Sequence, residues 1–146
     1  MEILTLNVKN ENWKDALAEM SETLYKMGYV KEGYRDAVIK REENFPTGIE
    51  LPNDVGVAIP HAEAEFVNEE AVVLGLPRTH VNFRKMDDPT KNTRVNCIFL
   101  LLVKNPEKGY VKFLSRLTTL FQKREFLNAV SRGKAEDIIK LLEEKL

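Results

Sequence analysis

The sequence predicts an α/β domain with helices on both faces of one sheet, and three observations carry that expectation. Short runs that read as strands are interleaved with longer stretches of helical periodicity, the pattern of a layered α/β chain. The run "VNCIFLLLV", residues 95–103, is apolar on both parities, so both its faces need cover, as in a central strand. The 146 residues are the length of one ordinary domain, able to enclose a core without staples.

The elements follow in order. "ILTLNV" alternates, with Leu4, Leu6 and Val8 on one face, and reads as a first strand. Asn12 is placed to cap a helix whose stripe is Trp13, Ala16, Leu17, Met20, Leu24 and Met27, with Gly28 as its stop. A second helix is expected from about Lys31 to Glu43, ending before Pro46. "VGVAIP" and "AVVLGLP" are short strands, and Val81 to Phe83 is a weaker one. After the central strand, "NPE" at 105–107 offers Asn as an N-cap and Pro as the first helical residue. The helix expected there carries Leu114, Leu117, Leu120 and Phe121, and two more, around 124–131 and 134–146, close the chain. No repeat, low-complexity tract or linker interrupts this order, so residues 1–146 read as a single domain.

Composition excludes several classes of function. Lys and Arg number 22 against 23 Asp and Glu, a net charge of −1, which gives no electrostatic case for nucleic acid or an anionic membrane. The longest apolar run, "CIFLLLV", is far too short to cross a bilayer, and "MEILTLNVKN" lacks the basic and apolar regions of a signal peptide. One cysteine cannot form an internal disulfide, which suits a reducing, cytoplasmic setting. Neither GxxxxGK[ST] nor GxGxxG is present, so the standard nucleotide loops are missing.

The chemistry gathers between residues 40 and 63. Tyr34, Ala37, Val38 and Arg41 stand at i, i+3, i+4 and i+7, so Arg41 continues an apolar stripe and either points inward or bends outward along its stem. Val55, Val57 and Ile59 share one parity that His61 extends, while Gly56 and Ala58 leave the other face free for close packing. Pro60 ends the ladder because it has no N–H to donate, and sheet ends are where α/β folds present their chemistry. "PTG" supplies a hydroxyl and a flexible turn between the arginine and the histidine. Taken singly, a histidine beside an apolar run is more often a hydrogen-bonded structural residue than a catalyst, and Arg41 more often a surface cation. Together they form a pair suited to phosphate: a neutral imidazole nitrogen to attack, and a guanidinium fork to receive phosphoryl oxygens.

"REENFPTGI" (41–49) followed by "VAIPH" (57–61) resembles the signature region of the type 2 enzyme IIA domains of the bacterial sugar phosphotransferase system, the fructose, mannitol and galactitol type. The resemblance covers almost the whole chain, and "AVIKREENFPTGI", "VAIPHAEA" and the later "NP" are most similar to the galactitol branch. It implies a mixed sheet between helices and a phosphotransferase component working through a phosphohistidine. His61 would take a phosphoryl group from the phosphocarrier HPr and pass it to a cysteine of a IIB component. Arg41 would face the phosphate, with Thr47 as a neighbour. Mannitol-type relatives carry a second histidine where this chain has Tyr110, which leaves Tyr110 as a hydroxyl contact. The alternative is a regulatory module of the same kind, whose phosphorylation state a partner reads.

Other candidates are set aside. His80, in "PRTHVNFRK", has no motif around it and reads as a solvated residue. Glu63, Glu65, Asp87 and Asp88 do not form a recurring ligand pattern, and histidine-to-cysteine phosphoryl exchange needs neither metal nor cofactor. "KREE" and "LLEEKL" read as helix-surface charge. Cys97 lies in the most apolar segment and is expected to stay a protonated, inert thiol, so the acceptor cysteine belongs to a separate chain.

Overall fold

The computed structural model describes residues 2–146. Its strands are β1 (Glu2–Val8), β2 (Gly48–Leu51), β3 (Val55–Ala58), β4 (Ala71–Pro77), β5 (Val81–Arg84), β6 (Asn92–Val95) and β7 (Cys97–Leu102). Its helices are α1 (Trp13–Lys26), α2 (Tyr34–Asn44), α3 (Tyr110–Leu120), α4 (Arg124–Arg132) and α5 (Ala135–Lys145), with a 3₁₀ turn at Ala64–Phe66. Five strands form one sheet in the order β1-β4-β7-β3-β2, and β5 and β6 form a separate hairpin. β1 runs parallel to β4 and β3 parallel to β7, while β4–β7 and β2–β3 are antiparallel. The sheet is mixed, and β7 is its centre.

Side-chain parity divides the core in two. Ile98, Leu100 and Leu102 of β7 face α1, α2 and the hairpin, packing with Leu17, Leu24, Val38 and Phe83. Cys97, Phe99 and Leu101 face α3–α5, packing with Leu117, Phe121, Phe126 and Leu142. Every residue of β7 is buried, as its unbroken apolar run requires. Phe99, Phe121 and Phe126 meet with ring centroids 5.2–5.9 Å apart, a tilted cluster at the heart of the second layer.

The helix signals fare unevenly. Asn12 caps α1 by accepting from the Asp15 N–H at 2.9 Å, and Gly28 follows the helix with φ +84°. α2 begins at Tyr34 rather than Lys31, because Gly33 sits at φ +93°, a conformation no helix continues through. α3 begins at Tyr110, not at Pro106. Asn105 opens a turn in which its carbonyl accepts from Lys108 N–H, while its own N–H and that of Lys104 donate to the Glu70 carboxylate.

Two strands were not legible as such. β2 starts at Gly48, the last residue of the expected "PTG" turn, and β6 is the polar "NTRV" that leads into the central run. Close backbone approach holds them together. A Cβ on Gly56 would lie 1.9 Å from the Arg94 carbonyl oxygen, and one on Gly48 would lie 2.6 Å from that of Arg84. Only glycine lets the hairpin lie this flat against β2 and β3. The Asn96 side chain accepts from Gly56 N–H at 2.9 Å, and Arg84 donates to the Glu43 carbonyl at the end of α2. The hairpin thus braces both the strand and the helix that lead to the histidine.

Candidate functional site

His61 stands just beyond the carboxyl end of β3. The β2–β3 ladder ends at the Gly48–Ala58 pair, and Pro60 then turns the chain alongside β7, its carbonyl accepting from Leu101 N–H at 3.0 Å. His61 itself lies beside Leu101, half-buried, at the end of the sheet where the parallel strands β3 and β7 both terminate.

The imidazole is held by its own strand. Nδ1 lies 3.2 Å from the Ile59 carbonyl oxygen, which can only accept, so this contact places the proton on Nδ1. Nε2 then keeps its lone pair. Burial pushes the imidazole below the ordinary histidine range and the Arg41 charge pushes the same way, with the Ile59 carbonyl and Glu63 opposing. The ring is therefore neutral at cell pH.

Arg41 and Tyr110 arrive from different layers. Arg41 is on the last turn of α2, half-buried, with its guanidinium carbon 5.5 Å from the Phe45 ring centroid. No carboxylate pairs with it among the described residues. Its charge acts on both His61 and Tyr110. Tyr110, the first residue of α3, meets His61 edge to face at 6.4 Å between centroids. Its hydroxyl is buried without a hydrogen-bond partner among the described residues. Burial raises the Tyr110 pKa and Arg41 partly lowers it, so the phenol keeps its hydrogen and can donate.

Thr47 is placed differently from a loosely held turn residue. It is buried, its hydroxyl donates to Glu42 Oε1 at 2.8 Å, and the same oxygen accepts from Ile59 N–H at 3.1 Å. Its hydrogen is thus directed into the protein. Glu42 corrects the expectation of ordinary surface charge for "KREE": it is 3% exposed. The missed signal was helical spacing, since Tyr34, Val38 and Glu42 fall at i, i+4 and i+8 and share the inward face. Burial pushes the Glu42 carboxyl up to about 7, against two hydrogen bonds from Thr47 and the more distant charges of Arg84 and Arg41.

The remaining candidates lie elsewhere. His80 borders a polar cleft with Asn53, Asp54, Val55 and Arg94, at the opposite end of β3 from His61. Cys97 is fully buried in the second layer, its thiol pushed far up by desolvation. It is four residues along β7 from Leu101, a strand distance of roughly 13 Å. Among the described residues no group of three His, Cys, Asp or Glu side chains is arranged to hold a metal ion.

The family described as "Phosphoenolpyruvate-dependent sugar phosphotransferase system, EIIA 2" matches residues 1–145. The chain belongs to that family. The galactitol-specific EIIA component of Escherichia coli strain K12 is 33% identical to this EIIA 2 chain over 94 residues, which is 64% of this chain and 61% of that protein. The fructose-specific EIIABC component of Bacillus subtilis strain 168 is 26% identical over 139 residues, 93% of this chain but 21% of that longer protein. The chain thus spans less than two thirds of the length of either relative. The fold recurs in the complex of enzyme IIAMTL and phosphorylated enzyme IIBMTL from Escherichia coli, with a TM-score of 0.71 at 22% identity over 98% of this chain and 94% of that one. Among the described residues no helix is long and apolar enough to cross a membrane.

Proposed function

We propose that this EIIA 2 chain is a phosphoryl carrier, phosphorylated on His61 by phospho-HPr and discharged to a cysteine of a IIB component. The observation that carries this is the pairing of a neutral imidazole, tied at Nδ1 by the Ile59 carbonyl, with a guanidinium that no carboxylate neutralises. Nε2 attacks the phosphorus of the donor phosphohistidine in line. The donor's P–N bond breaks, its electron pair stays on the departing imidazole, and a new P–N bond forms at His61. Arg41 offsets the charge on the phosphoryl oxygens, and the unpartnered Tyr110 hydroxyl can donate to one of them. A thiolate on IIB then takes the group by the same displacement, and His61 returns to its free form. Cys97 has no part in this.

The transported substrate is proposed to be a sugar or polyol, with the galactitol type favoured by the 33% identity to that component. The chain is proposed to act in the cytoplasm. The test is incubation with phosphoenolpyruvate, enzyme I and HPr, followed by acid-labile phosphate counting. Wild-type and His80→Ala proteins should take label and His61→Ala should not. Label on His61→Ala at the normal rate would overturn the assignment.

A further inference from the structure

The segment that carries His61 leaves the sheet ladder after Ala58, yet its histidine needs one ring nitrogen fixed and the other free. Two hydrogen bonds hold the Ile59–Pro60 stretch. Leu101 N–H donates to the Pro60 carbonyl at 3.0 Å, and Ile59 N–H donates to Thr47 Oγ1 at 3.1 Å. The second of these leads to Glu42. Thr47 Oγ1 donates to Glu42 Oε1 at 2.8 Å, and Thr47 N–H donates to Glu42 Oε2 at 2.7 Å.

The directions along this path are fixed by chemistry. A backbone N–H can only donate, so Thr47 Oγ1 must accept from Ile59 and send its one hydrogen to Glu42. The Thr47 N–H is also a pure donor, so both oxygens of Glu42 accept. The arrangement calls for a carboxylate. Burying one is costly, and a leucine or methionine at position 42 would continue the apolar stripe of Tyr34 and Val38 at lower cost. Packing alone therefore does not account for the residue. Its distinguishing contact is the path Glu42–Thr47–Ile59–His61, which ends at the Nδ1 of the ring.

We propose that Glu42 is a positioning residue for His61: through the Thr47 hydroxyl its carboxylate anchors the Ile59 N–H, and with it the residue whose carbonyl keeps the proton on Nδ1 and the lone pair on Nε2. This rests on the carrier reading for its purpose, though not for its geometry. It also explains why Arg41 and Glu42 are consecutive. The last turn of α2 carries both the residue whose charge acts on the ring and the one that enters the support beneath it. A shift of that turn moves both together.

The test is Glu42→Gln in the full chain, studied above pH 7, where the native carboxyl is ionised. The amide group of glutamine sets a donor against one of the two Thr47 donors. Nitrogen NMR of the His61 ring should change from a single Nδ1–H tautomer to a mixture, and hydrogen exchange at the Ile59 amide should quicken by roughly tenfold or more. Acceptance of phosphate from phospho-HPr should slow by a similar factor. Thr47→Val keeps the carboxylate but removes the hydroxyl that links it to Ile59, and should reproduce both spectroscopic changes, which covers the case in which Glu42→Gln does not fold. Thr47→Ser keeps the hydroxyl and should retain the single tautomer. An unchanged tautomer and Ile59 exchange rate in folded Glu42→Gln or Thr47→Val protein would overturn the proposal. Wild-type protein that refuses phosphate while Glu42→Gln still shifts the tautomer would refute the carrier reading and support the positioning role.

Discussion

Replacing Arg41 by alanine removes the positive charge that acts on both His61 and Tyr110. Because no carboxylate pairs with Arg41 among the described residues, that charge is available to an incoming phosphoryl group. A charge-assisted contact made as the phosphoryl group transfers contributes about 2–4 kcal/mol to barrier lowering, so the alanine variant should slow ~30- to 1000-fold. Arg41→Lys restores a point charge but not the fork, nor the flat face lying over Phe45, and should fall between. The assay is single-turnover transfer from phospho-HPr by rapid quench. An NMR titration of His61 supplies an independent readout. A neighbouring cation disfavours the imidazolium, so Arg41→Ala should raise the His61 pKa from its depressed native position. Transfer rates and a His61 titration both indistinguishable from wild type would refute the role given to Arg41.

Three further outcomes are expected. The Glu42 carboxyl titrates near 7 when folded against 4.5 when free, so the unfolded chain releases this proton first as pH rises. Wild-type stability relative to Glu42→Gln should therefore fall by about 3 kcal/mol from below pH 4.5 to above pH 7 in urea unfolding; a difference independent of pH would contradict the buried carboxyl. Gly56→Ala puts a Cβ 1.9 Å from the Arg94 carbonyl oxygen, so the hairpin must move away, at a cost of about 3 kcal/mol or more in unfolding free energy. A variant as stable as wild type would mean that the hairpin is not seated as described. Cys97→Ala should cost about 1–2 kcal/mol of stability yet still accept and deliver phosphate, and native Cys97 should resist thiol reagents. Rapid modification of the native thiol, with phosphate recovered on sulfur, would reverse that conclusion.

The parts of this fold that were legible in sequence are those where one local signal decides. β7 declared its central place through a run apolar on both parities, and Asn12 declared a cap through its position before a helical stripe. The candidate site was marked in sequence by an imidazole after a strand and a proline, with an arginine upstream. What stayed hidden depends on partners distant in sequence. β2 and β6 are only four residues each, β6 polar at all but Val95, and they exist because Gly48 and Gly56 admit the hairpin backbone. Asn105 met the local rule for a cap, but Gly109 at φ +74° interrupts the segment before a helix begins, and Glu70, thirty-five residues earlier, holds the resulting turn through the Asn105 N–H. Glu42 looked like its charged neighbours because charge dominates composition, whereas its inward face is set by a period that also contains Tyr34 and Val38. A buried carboxylate becomes visible only when the donors that satisfy it, both from Thr47, are brought into place.

The central claim, that His61 carries the phosphoryl group on the nitrogen its fold leaves free, is tested most directly by phosphorus and nitrogen NMR of the protein charged through phosphoenolpyruvate, enzyme I and HPr. Nδ1 is engaged by the Ile59 carbonyl at 3.2 Å, so the account predicts one phosphoramidate, bonded to Nε2 of His61, with the Nδ1 proton retained. Phosphate on Nδ1, on His80, or on any residue other than His61 would contradict it.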